Sequence, residues 1–279
     1  MKILTLNDIA YKLPPRFVHS HKGDYGRVLL IGGNENMGGA IMMAAKAAVC
    51  SGAGLTTVAT DKSNHTALHC HLPEAMVIDW AGADLLIAKI KQADVILIGC
   101  GLGLNTMSHK LLYMVLENIT DGQTLILDGD AITLFAKEPR FPAGITVLAT
   151  PHQQEWVRLS GLNITQQTEE NNLRAVDKLN IHVIVKKYRT ELYFIGTEPF
   201  QIDVGTPAMA TGGMGDTLAG MLTGFIGQFP QHYQQAVCAA VYLHSYIAQQ
   251  LAETRYVVLP TDIISNIQIE MKKYISAVE

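Results

Sequence analysis

Met209-Ala210-Thr211-Gly212-Gly213-Met214-Gly215-Asp216-Thr217-Leu218-Ala219-Gly220 is the stretch on which the reading of this chain turns. Glycines at 212, 213 and 215 let the backbone turn sharply and leave its amides unscreened by side chains. The run from Thr217 to Ile226 is apolar, contains no proline and predicts a helix. A glycine turn feeding a helix N-terminus aims several N–H groups at one spot, with the helix dipole behind them. That arrangement suits a phosphate, with the amides at Gly212, Gly213, Met214 and Gly215 forming an anion hole. A carboxylate at such a spot repels an anion unless it has a task. The task that fits Asp216 is to take a proton from a hydroxyl as phosphate reaches it. The plainer alternative is a first-turn carboxylate that complements the dipole, but three glycines and a threonine are more than a cap requires.

Outward from this turn, apolar runs alternate with helical patterns. Segments 27–31, 55–60, 75–78, 95–98, 124–127 and 146–149 read as strands, mostly continuous Val/Ile/Leu runs of the kind buried on both faces of a parallel sheet. Between them, 39–53, 63–71, 83–92, 105–119 and 130–137 read as helices, which predicts a doubly wound α/β layer structure. The pattern then changes. Segments 182–187, 191–195 and 200–204 follow one another closely and predict antiparallel strands at one edge. The remainder is helical, at 214–228, 231–252 and 261–277. The expectation is one domain over 1–279, with a mainly parallel central sheet, antiparallel edge strands and helices on both faces.

In open sheets of this type, ligands sit beyond the carboxyl ends of the strands. Gly32-Gly33-Asn34, Gly99-Cys100-Gly101-Leu102-Gly103, Asp128-Gly129-Asp130 and Thr150-Pro151-His152 all fall at such ends. The small residues Ala44, Ala45, Ala47, Ala48, Ser51 and Gly52 fit either close helix–sheet packing or close ligand approach. Asp128 and Asp130 fit either a magnesium site or an Asx turn and a helix cap. His152 and Glu155 lie one helical turn apart, and His152 reads as a ligand contact. Lys186-Lys187-Tyr188-Arg189-Thr190 reads as a hairpin tip whose cations would grip a nucleotide's phosphates or ribose. Tyr242, His244 and Tyr246 sit in an apolar helix and read as core or interface. No dinucleotide fingerprint and no Walker A motif is present.

Composition excludes several classes. A net charge of −4 over 279 residues, without a basic block, excludes a nucleic-acid binder. Hydrophobic residues make up 48% of the chain, enough for a large core. No apolar run reaches membrane-spanning length, Ile41 to Val49 being interrupted by Lys46, and residues 1–12 have no signal-peptide character. A cytoplasmic protein is therefore expected. Cysteines 50, 70, 100 and 238 lie far apart and predict neither disulfides nor a zinc knuckle. His65, His69, Cys70 and His71 fit a polar helix end better than a metal site.

Several motifs occur in a fixed order: Lys22-Gly23-Asp24-Tyr25-Gly26-Arg27-Val28, Ser51-Gly52-Ala53-Gly54-Leu55, Gly101-Leu102-Gly103, Asp128 with Asp130, Thr150-Pro151-His152 with Glu155, and the 209–216 turn. Together they resemble the ADP- or ATP-dependent (S)-NAD(P)H-hydrate dehydratases, a branch of the ribokinase-like superfamily. The resemblance spans residues 20 to 250 and implies a ribokinase-like three-layer sandwich. It also implies repair of nicotinamide cofactor hydrated at C6: a nucleotide phosphorylates the new hydroxyl, and phosphate then leaves with an adjacent proton. By this resemblance Ala40, Gly103, His152 and Asp216 contact hydrated NADH or NADPH. Lys186, Lys187, Tyr188, Arg189, Thr190 and Gly215 contact the adenine nucleotide, and Asp216 is the catalytic base. The donor implied is ADP, giving AMP, with Mg2+ as cofactor and no assigned metal ligands. The resemblance further implies a homo-oligomer, a tetramer, with the epimerase activity on a separate protein, since about twenty residues precede Lys22.

Three positions depart from that pattern. Lys187 stands where the family commonly has glycine, Thr206 where it often has asparagine, and Cys100 where it often has proline. Two rival functions use the same turn: a vitamin-precursor kinase of the same superfamily, and a non-catalytic nucleotide-binding protein. The kinases typically carry asparagine at the position of His152 and lack the Met-Ala-Thr lead.

Overall fold

The computed structural model describes residues 1–274. Its first part runs β1 (Lys2–Leu4), α1 (Leu6–Ile9), β2 (Arg27–Ile31), α2 (Gly38–Cys50), β3 (Leu55–Thr60), α3 (His65–His71) and β4 (Met76–Asp79). Then follow α4 (Ala83–Gln92), β5 (Val95–Ile98), α5 (Thr106–Asn118), β6 (Thr124–Leu127), α6 (Asp130–Phe135) and β7 (Thr146–Ala149). The chain continues with α7 (Gln153–Ser160), α8 (Glu169–Leu179), β8 (His182–Val185), β9 (Glu191–Tyr193) and β10 (Phe200–Ile202). It ends with α9 (Met214–Gln228), α10 (Tyr233–Ala252) and α11 (Pro260–Tyr274). The last three positions expected in helix 261–277 lie outside the described residues. No helix among those described is long and apolar enough to cross a membrane.

A single ten-stranded sheet has the order β1-β10-β9-β8-β7-β6-β5-β2-β3-β4. From β4 to β8 every pairing is parallel; β8–β9 and β9–β10 are antiparallel. The antiparallel segment thus lies as expected, except that the N-terminal β1 adds in parallel outside β10 and forms the outer edge. Alternate residues of the central strands feed two cores. Val28 and Leu30 of β2, Val95 and Leu97 of β5, and Ile126 of β6 face the layer of α2, α9, α10 and α11. Leu29 and Ile31, Ile96 and Ile98, and Leu125 and Leu127 face the layer of α4 to α8. Strands apolar at every position follow directly from burial on both faces.

The sequence reading did not foresee α7 and α8. Both expose a polar outer face and bury only short apolar stripes, Trp156 and Leu159 in α7 and Ala175 and Val176 in α8. Signals were present: His152 caps α7 through Nδ1, with Glu155 closing a capping box. Thr168 caps α8 with Glu169 and Glu170 in its first turn.

The small residues of α2 prove to serve helix–helix packing rather than helix–sheet packing alone. A Cβ on Gly220 of α9 would lie 2.1 Å from the Ala44 carbonyl oxygen, and one on Gly224 would lie 2.6 Å from that of Ala48. Bare backbone on α9 therefore lies flush on α2. Gly220→Ala should lower stability by about 1–3 kcal/mol through overpacking against backbone. Gly39→Ala, where nothing lies within 4 Å, should leave it unchanged or raise it by up to about 1 kcal/mol. Thermal melts of the two variants check the contrast.

Candidate active site

The turn at 211–213 delivers α9 with its N-terminus over the carboxyl ends of β5, β6 and β8. Gly213 is the N-cap with φ +95°, a left-handed conformation that favours glycine. The first N–H groups of α9 have no acceptor within the helix, and Gly215 and Asp216 lie in that first turn. A Cβ on Gly215 would stand 3.2 Å from Lys186 Nζ, so the lysine ammonium reaches the glycine turn.

Opposite the turn is a buried polar group. Asp128, 3% exposed at the end of β6, accepts hydrogen bonds from Lys186 Nζ (2.8 Å) and Thr150 Oγ1 (2.6 Å) through Oδ1. The Cys100 thiol donates to its Oδ2 at 3.6 Å. Burial alone pushes the Asp128 carboxyl up, but Lys186, Thr150 and Cys100 outweigh it and hold the group below the usual carboxylate range. Burial pushes Lys186 down, and Asp128 with Glu155 reverses that, leaving a firm ammonium. Asp216 differs. Burial, then the charge of Asp128, raises its carboxyl from 3.8 to about 6, within the range of a general base. Asp128 and Asp130 therefore do not form an Asx turn with a helix cap. Asp128 is an ion-pair partner. Asp130 sits inside the first turn of α6, capped by Gly129, and accepts from the Gly103 amide at 2.7 Å.

The 186–190 hairpin borders a cavity of about 560 Å³, shared with Asp203, Thr206, Met209, Met214, Gly215 and His244. The five residues expected to touch nucleotide are thus brought beside the glycine turn. Two of the three cations expected at this tip are tied to carboxylates: Lys186 to Asp128, and Lys187 to Glu191 at 2.6 Å. Arg189 lies over the exposed Tyr188 ring at 5.6 Å. His244, read from sequence as core or interface, is buried but borders this cavity, and burial keeps it neutral with a pKa of about 4. Its alternation with two tyrosines on an apolar helix concealed it.

Ala40, Gly103 and His152 lie along the carboxyl edge of the sheet. Ala40 is in the first turn of α2, where a Cβ on Gly101 would come within 3.0 Å of its own Cβ. Gly103 abuts Asn34. Beyond it, over the ends of β2, β3 and β4, a second cavity of about 400 Å³ is lined by Asn34, Asp61, Asp79, Trp80 and Asn105. The sheet order sets the two cavities toward opposite edges of the sheet, one beside β8 to β10 and the other over β2 to β4. His152 holds α7 by accepting from the amides of Gln154 (3.1 Å) and Glu155 (3.3 Å) through Nδ1, and its Nε2 is 3.4 Å from Glu155 Oε1. Burial first, then Lys186 and Arg158, lowers its pKa and favours neutral imidazole.

Cys100, Asp128 and Asp216 bring candidate ligand atoms within 4.8 Å of one another. A thiol and an aspartate already bound to lysine do not suit magnesium, which prefers an octahedron of oxygens and waters. These residues therefore do not form a magnesium cage.

Residues 28–269 match the family described as NAD(P)H-hydrate dehydratase. The chain is 52% identical over 270 residues to an ADP-dependent (S)-NAD(P)H-hydrate dehydratase of Staphylococcus aureus, covering 96% of each chain. The structure of a ribokinase-like superfamily protein from Enterococcus faecalis superposes with a TM-score of 0.94 at 48% identity, covering 99% of this chain and 97% of that one. That of the ADP/ATP-dependent NAD(P)H-hydrate dehydratase of Bacillus subtilis, co-crystallised with ATP and Mg2+, gives 0.85 at 27% identity, covering 98% of each.

Two stability measurements test this electrostatic arrangement. Lys186→Met strands the buried Asp128 charge and should cost about 3–5 kcal/mol, read by denaturant unfolding. Asp216 acts in the opposite sense. Its folded-state pKa of about 6 lies above the ordinary 3.8, so holding it charged costs stability. The cost is full above about pH 6, shrinks as pH falls and is gone below about pH 4. Asp216→Asn should therefore stabilise the protein by about 1–3 kcal/mol at neutral to basic pH, and melts across the pH range should show the gain vanishing in acid.

Proposed function

The chain belongs to the NAD(P)H-hydrate dehydratase family, and on that premise we propose how its residues divide the work. The activity is ADP-dependent dehydration of (S)-hydrated NADH and NADPH, which regenerates NADH and NADPH. Asp216 accepts the proton of the C6 hydroxyl. The freed oxygen attacks the β-phosphorus of ADP, and AMP leaves. The C6–O bond of the phosphate ester then breaks, phosphate departs, and loss of a proton from the adjacent carbon restores the ring double bond. Phosphorylation is useful because hydroxide is a poor leaving group and phosphate a good one.

The observation that carries this reading is the raised carboxyl of Asp216 at the mouth of a glycine-lined helix N-terminus. Amides of Gly212, Gly213, Met214 and Gly215, with the Lys186 ammonium, stabilise charge on the transferring phosphoryl group. Lys186, Lys187, Tyr188, Arg189 and Thr190 hold the nucleotide in the larger cavity. Ala40, Gly103 and His152 hold the hydrated cofactor, whose other half extends toward the second cavity. Mg2+ accompanies the nucleotide's phosphates and is not held by protein side chains alone. The same reading includes a homo-tetramer and a separate epimerase.

Asp216→Asn keeps the shape of the site and removes the proton acceptor. Turnover, followed by the returning absorbance of the dihydropyridine ring, should fall by about 10²–10⁴-fold or more while ADP still binds. Turnover within about threefold of the unchanged protein would remove Asp216 from the mechanism. Release of inorganic phosphate in step with absorbance separates this activity from that of a kinase, which would retain a phosphorylated product. His152→Ala should raise KM for the hydrated cofactor by about tenfold, the cost of leaving a partner unpaired, and leave KM for ADP nearly unchanged. A rise confined to ADP would move His152 into the nucleotide pocket.

A further inference from the structure

Cys100 stands at the end of β5 between glycines with φ of +135° and +61°, and it is 1% exposed. It borders both halves of the acidic centre: its thiol donates to Asp128 Oδ2 at 3.6 Å, its sulfur lies within 4.8 Å of the Asp216 carboxylate, and hydrogen bonding between the thiol and Asp216 favours the charged carboxylate. The two carboxylates are differently provided. Asp128 has Lys186 and Thr150 as further donors, whereas the donors to Asp216 are the Cys100 thiol and its own backbone N–H, with Lys186 acting on it only through its charge. Burial, then the charges of Asp128 and Asp216, pushes the thiol pKa well up, so Cys100 keeps its proton and remains a donor.

We infer that Cys100 is a positioning residue for the Asp216 base, turning its one S–H donor from Asp128 to Asp216 when Asp216 becomes charged. Asp128 can release the thiol because Lys186 and Thr150 remain on it. Asp216 cannot easily be a carboxylate beside Asp128 without a donor, since two neighbouring carboxylates oppose each other's charge. Rotation of the S–H bond turns the donor, whose sulfur already lies within 4.8 Å of the Asp216 carboxylate. The charged groups around Asp216 are Asp128 at the end of β6 and Lys186 at the end of β8. Glu155 and His152 of α7 act on Lys186 and Asp128. Neutral His244 of α10 lies against the first turn of α9 at Met214. Of these groups, Cys100 alone can donate to either carboxylate while carrying no charge.

The inference rests on Asp216 being the base, and its test is the acid limb of the pH profile of kcat/KM for hydrated NADH at saturating ADP. Cys100→Ala removes the donor, so the limb should move up by about half a pH unit or more. The loss should be at least about threefold on the acid side and small at high pH. Cys100→Ser offers a stronger O–H donor, so its limb should lie at or below that of the unchanged enzyme. Melting temperatures of both variants, read alongside, show that the fold persists. A limb that stays in place in Cys100→Ala, or a loss that is the same at every pH and equal in both variants, overturns the inference and leaves Cys100 a packing residue. If Asp216→Asn itself keeps turnover, the reading of the base fails instead, so the two failures are distinguishable.

Discussion

The contact on which this site depends is backbone against backbone. Gly220 and Gly224 of α9 rest on the carbonyls of Ala44 and Ala48 in α2. Side chains at those positions would lift α9 away from the layer beneath it. Because α9 lies close, its N-terminus reaches the carboxyl edge of the sheet and presents the glycine turn to Cys100, Asp128 and Lys186. Because α2 supplies the opposite surface, its own first turn, with Ala40, meets the Gly101 loop on the same edge. One packing constraint thus sets the position of the glycine-turn amides and of the Ala40 wall on the same edge.

Electrostatics then divides two aspartates of the same chemistry into different roles. Asp128 is buried but provided with a lysine, a threonine and a thiol. It stays charged and holds Lys186 at the glycine turn. Asp216 is less buried but less well provided, and the charge on Asp128 adds to its burial, so its carboxyl rises to about 6. A group that ionises near neutrality can both take a proton and later give one up, whereas the firmly paired Asp128 can do neither. The pair Lys186–Asp128 is thus the fixed charge against which the movable charge of Asp216 is set, and a carboxyl raised at the cost of stability is the property that the proposed base requires.

The hairpin shows how local sequence can mislead about availability. Three cations within four residues suggest free phosphate ligands. In the folded chain Lys186 and Lys187 each answer a carboxylate, and Glu191 lies four residues after Lys187 at the start of the returning strand. Lys187, which replaces a common glycine, is therefore accommodated by a local partner rather than crowding the turn. His244 is the converse case: an apolar helical setting suggested core, and the helix ends up forming part of the cavity beside the hairpin.

The sequence by itself determined the parallel sheet, because strands apolar at every position can be satisfied only by burial on both faces. It also determined the glycine turn and the place of Asp216 in the first turn of α9, because glycine spacing and a following apolar helix are local properties. It showed which strand ends carry unusual residues. It missed α7 and α8, whose apolar stripes are short, and it left β1 unseen, since three residues become a strand only when β10 offers an edge. The partners of Asp128 and Lys187, the raised carboxyl of Asp216 and the place of His244 were decided only by tertiary structure. All but the Lys187–Glu191 pair depend on groups far apart in the chain, 58 residues for Lys186 and Asp128. A pKa or a cavity wall is set by what surrounds a side chain in space, which neighbours along the chain do not specify.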